Sequence, residues 1–211
     1  MACYVIRQSR KIMTEIKFIE LGVVEYTETH DAMMQLIESQ PSFHSIWSLE
    51  HFPVFTIGIS EKEITEDRSK SPPFIKTDRG GKTTFHAPGQ LVIYFILNMK
   101  NLPFPPTELT KKILETTSMA LASYDLKHNI SARDPGIFIN DQKVASIGMR
   151  IKKNYSYHGL SINVETDLNT FNSIKPCGLD VQACNLKDYI NINVDVLKKE
   201  LLNNFQQMLC K

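Results

Sequence analysis

Apolar residues recur every three or four positions in three stretches of the chain and alternate with polar ones through much of the rest. Met33, Met34, Leu36 and Ile37 mark a helix over 25–39. Leu109, Ile113, Thr117, Ala120, Leu121 and Tyr124 form the stripe of a second helix, approached through Pro103, Pro105 and Pro106. Leu197, Leu201, Phe205 and Met208 mark a third, with Asn193 as its N-cap. Strands are predicted at 16–21, 45–49 and 54–57, the last two parted by Phe52-Pro53. Residues 61–73, charged and then punctuated by proline, read as an exposed loop. Residues 83–85 and 91–99 read as a hairpin about Pro88-Gly89, the second arm apolar enough to be a central strand. Residues 137–139, 144–151 and 157–164 read as a strand meander. Helices and strands mix without regular βαβ alternation, which predicts an α+β fold: a mixed, largely antiparallel sheet flanked by helices. No repeat, low-complexity tract or linker divides the chain, so residues 1–211 are expected to form a single domain.

The alternation over 143–151 carries chemistry as well as structure. Ala145, Ile147, Met149 and Ile151 share one face; Val144, Ser146, Gly148 and Arg150 share the other; Lys143 falls with the apolar set. A lysine held there loses hydration, its ammonium is destabilised, and its pKa is expected to fall towards proton-accepting range. The bland alternative is that Lys143 opens an exposed strand after the Asn140-Asp141-Gln142 turn. By the same parity His158 shares a face with Leu160, Ile162 and Val164 and points inward. Gly159 beside it leaves room on the opposite face for a substrate or a close backbone.

Composition narrows the classes. The chain has 211 residues, 42% hydrophobic and 22% charged, which is ordinary globular content and argues against disorder. A net charge of +1 offers no case for nucleic-acid binding. The longest strongly apolar run, 91–97, is too short to span a bilayer, and the N-terminus lacks the apolar core of a secretory signal. A reducing cytoplasm is the expected compartment, where the four cysteines (Cys3, Cys177, Cys184, Cys210) form neither disulfides nor a C-x-x-C zinc pair. No metal site is expected.

The densest candidate cluster is 79–90, Arg-Gly-Gly-Lys-Thr-Thr-Phe-His-Ala-Pro-Gly-Gln. Gly80 and Gly81 permit unusual backbone angles close to a ligand. Gly81-Lys82-Thr83 is not a P-loop: Lys76 stands where that motif needs glycine, and the segment leads into a strand. His86, beside the Pro88-Gly89 turn, reads more readily as a satisfied structural residue than as a catalyst. Cys177, between Pro176 and Gly178, is the candidate nucleophile, and a nearby Lys143 would raise its thiolate fraction.

Taken together, these blocks resemble the lipoyl(octanoyl) transferase family. Residues 79–90 resemble its R-G-G-x-x-T-[YF]-H-x-P-G-Q, 143–148 its K-[IV]-A-[AS]-[IL]-G, 157–164 its H-G-[LF]-[AS]-[LI]-N block, and 171–178 its cysteine segment ending Pro-Cys-Gly. Weaker likeness in Leu49–Gly58 extends the match over about 45–186. Ala87 stands where many members have glycine, and Cys184 occupies a site usually threonine.

The resemblance implies a biotin/lipoate-ligase-like fold and a cysteine–lysine acyltransferase with no cofactor. Octanoyl would pass from acyl carrier protein to Cys177 as a thioester, then to a lysine of the lipoyl domains of 2-oxoacid dehydrogenases or of the glycine cleavage H protein. Lys143 would be its partner. Arg79, Gly80, Gly81, Lys82, Thr83, Thr84, Phe85 and His86, with Ser146, Ile147, Gly148, Gly159, Leu160 and Ser161, would line the acyl pocket; His158 is a further candidate. The rivals are an ATP-dependent lipoate or biotin ligase and a non-catalytic module that only docks carrier or lipoyl domains. Arg150, Lys152 and Lys153 form a basic cluster that reads at least as well as a solvated basic turn as it does as a patch steering an acidic carrier.

Overall fold

The computed structural model describes residues 14–62, 71–131, 133–173 and 181–210. The chain runs β1 (Ile16–Val24), α1 (Tyr26–Glu38), β2 (His44–His51), β3 (Val54–Ile57), β4 (Phe74–Lys76), β5 (Thr84–His86) and β6 (Gln90–Ile96). It continues through α2 (Leu109–Ala122), β7 (Asn129–Ser131), β8 (Gly136–Ile139), β9 (Gln142–Lys152), β10 (Tyr155–Asn163), α3 (Leu168–Ser173) and α4 (Val194–Cys210). A seven-stranded sheet is ordered β1-β2-β6-β10-β9-β8-β7, and a three-stranded sheet is ordered β4-β3-β5. Among the described strands, only β1–β2 and β3–β4 pair in parallel. The mixed, largely antiparallel α+β architecture is the one the residue pattern predicts.

Strand β6 is buried along its whole length because both of its faces are covered. Leu91, Ile93 and Phe95 meet α2 and α4 in the larger core; Val92, Tyr94 and Ile96 meet Met33 and Ile37 of α1 in a second. The helices supply the faces their spacing predicts. Asn193 caps α4, its Oδ1 accepting from the N–H groups of Asp195 (2.9 Å) and Val196 (3.2 Å). Leu197, Leu201, Phe205 and Met208 are buried beneath it, and the Phe205 ring meets Phe95 edge-on at 4.9 Å.

Four local expectations change. Residues 83–99 do not form a hairpin: β5 pairs with β3 in the small sheet, while β6 pairs with β2 and β10 in the large one. The Pro88-Gly89 turn therefore hands the chain from one sheet to the other. Two short strands, β4 and β7, carry too few residues for alternation to reveal them.

The third change concerns Lys143. Opposite β8, Lys143 pairs with Phe138 and Ala145 with the adjacent Ile137, so Val144 is the extra residue of a β-bulge. Val144 and Ala145 both enter the larger core, as do Ile137 and Ile139. Lys143 instead shares the Phe138 side, its Nζ 5.5 Å from the centre of that ring. Simple period two puts Lys143 with Ala145; the bulge moves it to the face of Ser146 and Gly148. The exposed-strand alternative fails too, since Lys143 is buried.

The fourth is His158. Its φ of 59° turns it away from Leu160 and Ile162 and onto the α1 side, where it stacks on His30. It is buried as expected, but on the other face.

Because Phe205 is fully buried between α4 and β6, Phe205→Ala is expected to cost about 3–5 kcal/mol of stability. Urea unfolding of the two proteins measures this directly.

Candidate active site

A cavity of about 400 Å³ opens where the two sheets meet, a size that suits a small ligand or a short acyl chain. Its walls come from the 79–84 loop and His86, from Lys143 and the 146–149 stretch of β9, and from His158 to Ser161 of β10. Of the pocket residues singled out by sequence, Arg79, Gly80, Gly81, Lys82, Thr83, Thr84, His86, Ser146, Ile147, Gly148, Gly159, Leu160 and Ser161 all line it, as do Lys143 and His158. Phe85 does not; alternation within β5 sends it into a small apolar cluster with Phe55, Ala87, Phe171 and Ala183. Val92, Tyr94, Asp134 and Phe171 also line the cavity and were not singled out. The alternation of β6 carried a signal for Val92 and Tyr94, but Asp134 had none beyond an Asp-Pro-Gly turn.

The glycine-rich loop lies directly on β9. The Gly80 N–H donates to Met149 O at 3.2 Å, and a Cβ on Gly148 would stand 2.7 Å from Gly80 O. Gly159 answers to its close-backbone reading: a Cβ there would sit 2.0 Å from Ile93 O. Arg79 is buried and holds the loop down. It donates through Nη2 to Thr56 O (2.6 Å), through Nε to Thr56 Oγ1 (3.0 Å) and through Nη1 to Gly80 O (3.0 Å).

Lys143 points into this space with its Nζ 2.8 Å from Asp134 Oδ2, and both side chains are largely buried. The lysine is thus desolvated against a carboxylate rather than among apolar groups. Cys177 lies outside the described residues. The chain on either side of it does reach the cavity: Phe171, Val181 and Ala183 are wall residues, and Asn172 Oδ1 accepts from the Ala183 N–H at 2.9 Å. Residues 182–184 are stitched to Lys143, whose N–H donates to Gln182 O (2.8 Å) and whose carbonyl accepts from the Cys184 N–H (3.1 Å). Cys184 itself is packing: its thiol is buried and pushed up to about 12, chiefly by that burial.

Beside the cavity, burial disfavours the charged forms of His51, His86 and His158. His51 Nδ1–H donates to Val24 O (3.0 Å), and its Nε2 accepts from the Tyr94 hydroxyl (2.7 Å). Burial lowers His51 to about 4 and holds His86 well below the usual histidine range. His158 is also lowered by burial, partly offset by Asp78, whose Oδ1 lies 3.0 Å from its Nε2. That hydrogen bond, with a second from Tyr157, holds Asp78 far below the usual carboxylate range. His30 joins the group with Nε2 3.5 Å from Asp78 Oδ1, so the structure gathers a His-Asp-His cluster that sequence spacing did not reveal. In the basic cluster, Lys152 and Lys153 both meet Glu38 of α1, which partly neutralises that patch.

Residues 25–206 match the lipoyl protein ligase A/B catalytic domain. Over 202 residues, covering 93% of both chains, the sequence is 38% identical to an octanoyltransferase of Wigglesworthia glossinidia brevipalpis. The chain belongs to the octanoyltransferase family. Its fold is similar to those of solved ligases. A lipoate-protein ligase A bound with ATP superposes with a TM-score of 0.76 at 16% identity, over 93% of this chain and 86% of that one. The biotin protein ligase of Aquifex aeolicus, in complex with biotin and ATP, gives 0.58 at 15% identity, over 92% and 70%. Among the described residues no helix is long and apolar enough to cross a membrane.

The buried histidines make stability sensitive to acid. Below the unfolded histidine pKa of about 6.5 the unfolded chain takes up a proton that folded His51 refuses until about pH 4. Stability is therefore expected to fall by about 2 kcal/mol through His51 alone between pH 7 and pH 5. Denaturant unfolding at the two pH values measures the slope, and His51→Gln is expected to flatten it.

Proposed function

We propose that this protein is an octanoyltransferase that moves octanoyl from acyl carrier protein to a lysine of lipoyl domains. Extended identity to an octanoyltransferase supports the reaction class. The observation that carries the chemistry is the cavity, with buried Lys143 on its wall and the ends of the Cys177 stretch meeting beside it.

In this reading the Cys177 thiolate attacks the carbonyl of the carrier-bound octanoyl thioester. A C–S bond forms, the carbonyl oxygen carries the negative charge, and the carrier thiol leaves with a proton. The acceptor lysine, as a neutral amine, then attacks the Cys177 thioester; an amide forms and the Cys177 thiol is regenerated. Lys143, beside Asp134, pairs with the thiolate and moves protons between the two steps. A thioester is converted to an amide, which runs downhill without ATP. Arg79 and the 80–84 backbone form one wall of the acyl site, and His86, Gly148 and Gly159 shape the rest. The compartment is the cytoplasm, and the partners are acyl carrier protein and lipoyl domains.

Intact mass after mixing with octanoyl-carrier protein, without ATP, tests the reading. Wild type is expected to gain one hydroxylamine-labile octanoyl group and Cys177→Ala none; Lys143→Ala is expected to slow its formation by at least 100-fold, the scale of a lost acid–base partner. Modification of a lipoyl domain only when free octanoate and ATP are supplied, with no adduct on the enzyme, would assign the protein to the ligases instead.

A further inference from the structure

A chain of buried side chains runs behind the cavity from the glycine-rich loop to the backbone of Lys143. Asn163 Nδ2 faces two carbonyl oxygens, Cys184 O at 3.2 Å and Lys143 O at 3.4 Å. Carbonyls only accept, so this atom is the NH₂ and Oδ1 is the acceptor. Oδ1 lies 2.9 Å from Gln90 Nε2, which also donates to Phe85 O at 3.1 Å. Gln90 Oε1 must then accept, and its partner at 2.6 Å is His86 Nδ1, which therefore carries the ring proton. His86 Nε2 is left to accept from the Thr56 hydroxyl at 3.3 Å, and Thr56 Oγ1 accepts in turn from Arg79 Nε.

Only one assignment of protons satisfies every link. Both amide N–H groups of Gln90 and both of Asn163 are spent, and both amide oxygens are occupied. Gln90 and Asn163 are buried, and neither lines the cavity. Buried polar networks are costly when broken and rigid when complete. Here the far end of the network is the Lys143 main chain at the bulge, where a shift of one residue would reverse the side chain's face.

Building on the transferase reading, we propose that Asn163, directed by Gln90, is a positioning residue for Lys143. It holds the Lys143 and Cys184 carbonyls together and so keeps the bulge in the register that aims the lysine into the cavity. Its contribution is made through Lys143 and not through substrate.

Octanoyl transfer from the carrier thioester to a lipoyl domain, measured at steady state, tests this with Asn163→Asp and Gln90→Met. Asn163→Asp keeps the shape but turns a carboxylate oxygen towards two carbonyls; Gln90→Met removes the link that orients Asn163. The expected result is a kcat lower by about 100-fold, the scale of a misplaced reacting group, with KM for the octanoyl donor within threefold of wild type. If Asn163→Asp does not fold, Gln90→Met carries the same expectation. A variant that folds and keeps its kcat within threefold overturns the proposal, and so does one that raises KM alone, which would make these residues part of the substrate wall. Wild type that fails to transfer octanoyl at all removes the transferase reading and this inference with it; an active wild type with unaffected variants removes the inference alone.

Discussion

Val144 and Ala145 are consecutive residues that both bury against the same core, and a regular strand cannot do that. The bulge resolves the conflict by spending one residue without a cross-strand partner, and every side chain before it changes face relative to those after it. Lys143 is thereby delivered to the cavity while Ala145 keeps its place opposite Ile137 and Ile162. A hydrophobic requirement thus sets the position of a charged group, and Asp134 at 2.8 Å compensates the charge once it is buried.

The same division of labour runs through the large sheet. One face of β6 is closed by α2 and α4 and is wholly structural; the other is shared between α1 and the cavity, where Val92 and Tyr94 become wall residues. The cavity is lined from both sides of the point where the chain leaves the small sheet after β5 and enters the large one at β6. Gly148 lets the 79–81 loop lie on β9, which narrows the gap from one side without filling it.

Electrostatically the site is quiet. Burial keeps His51 and His86 uncharged, Lys143 meets Asp134, Asp78 meets its hydrogen-bond donors, and Arg79 is held by oxygens of Thr56 and Gly80. Neutral rings have one donor and one acceptor each, so their hydrogen bonds have a direction that imidazolium would lose. A ligase solved with bound ATP has a similar fold, and the fold by itself does not choose between chemistries. What distinguishes this chain is its octanoyltransferase kinship.

Much of this was legible in one dimension. The helices at Tyr26–Glu38, Leu109–Ala122 and Val194–Cys210 follow from apolar spacing, because each needs only one buried stripe. The pocket residues in 79–86 (Phe85 excepted), 146–148 and 159–161 came from the resemblance to a family's motifs, in which glycines mark close backbone approach. Alternation failed at Lys143 and His158, where a bulge and a left-handed φ break the period of two that the argument assumed. It also joined β5 to β6 as a hairpin, because a Pro-Gly turn announces a change of direction but not which strand will be the partner. The Asp134 partner of Lys143 and the Asn163 link to its carbonyl join residues distant in sequence, or separated by a turn, and no local pattern encodes them. The sequence by itself determined which residue types and elements the site is built from, through local periodicity and backbone permissiveness. Only the tertiary structure decided which way the reactive side chains face, because that depends on strand register, and register is set by how the whole core packs.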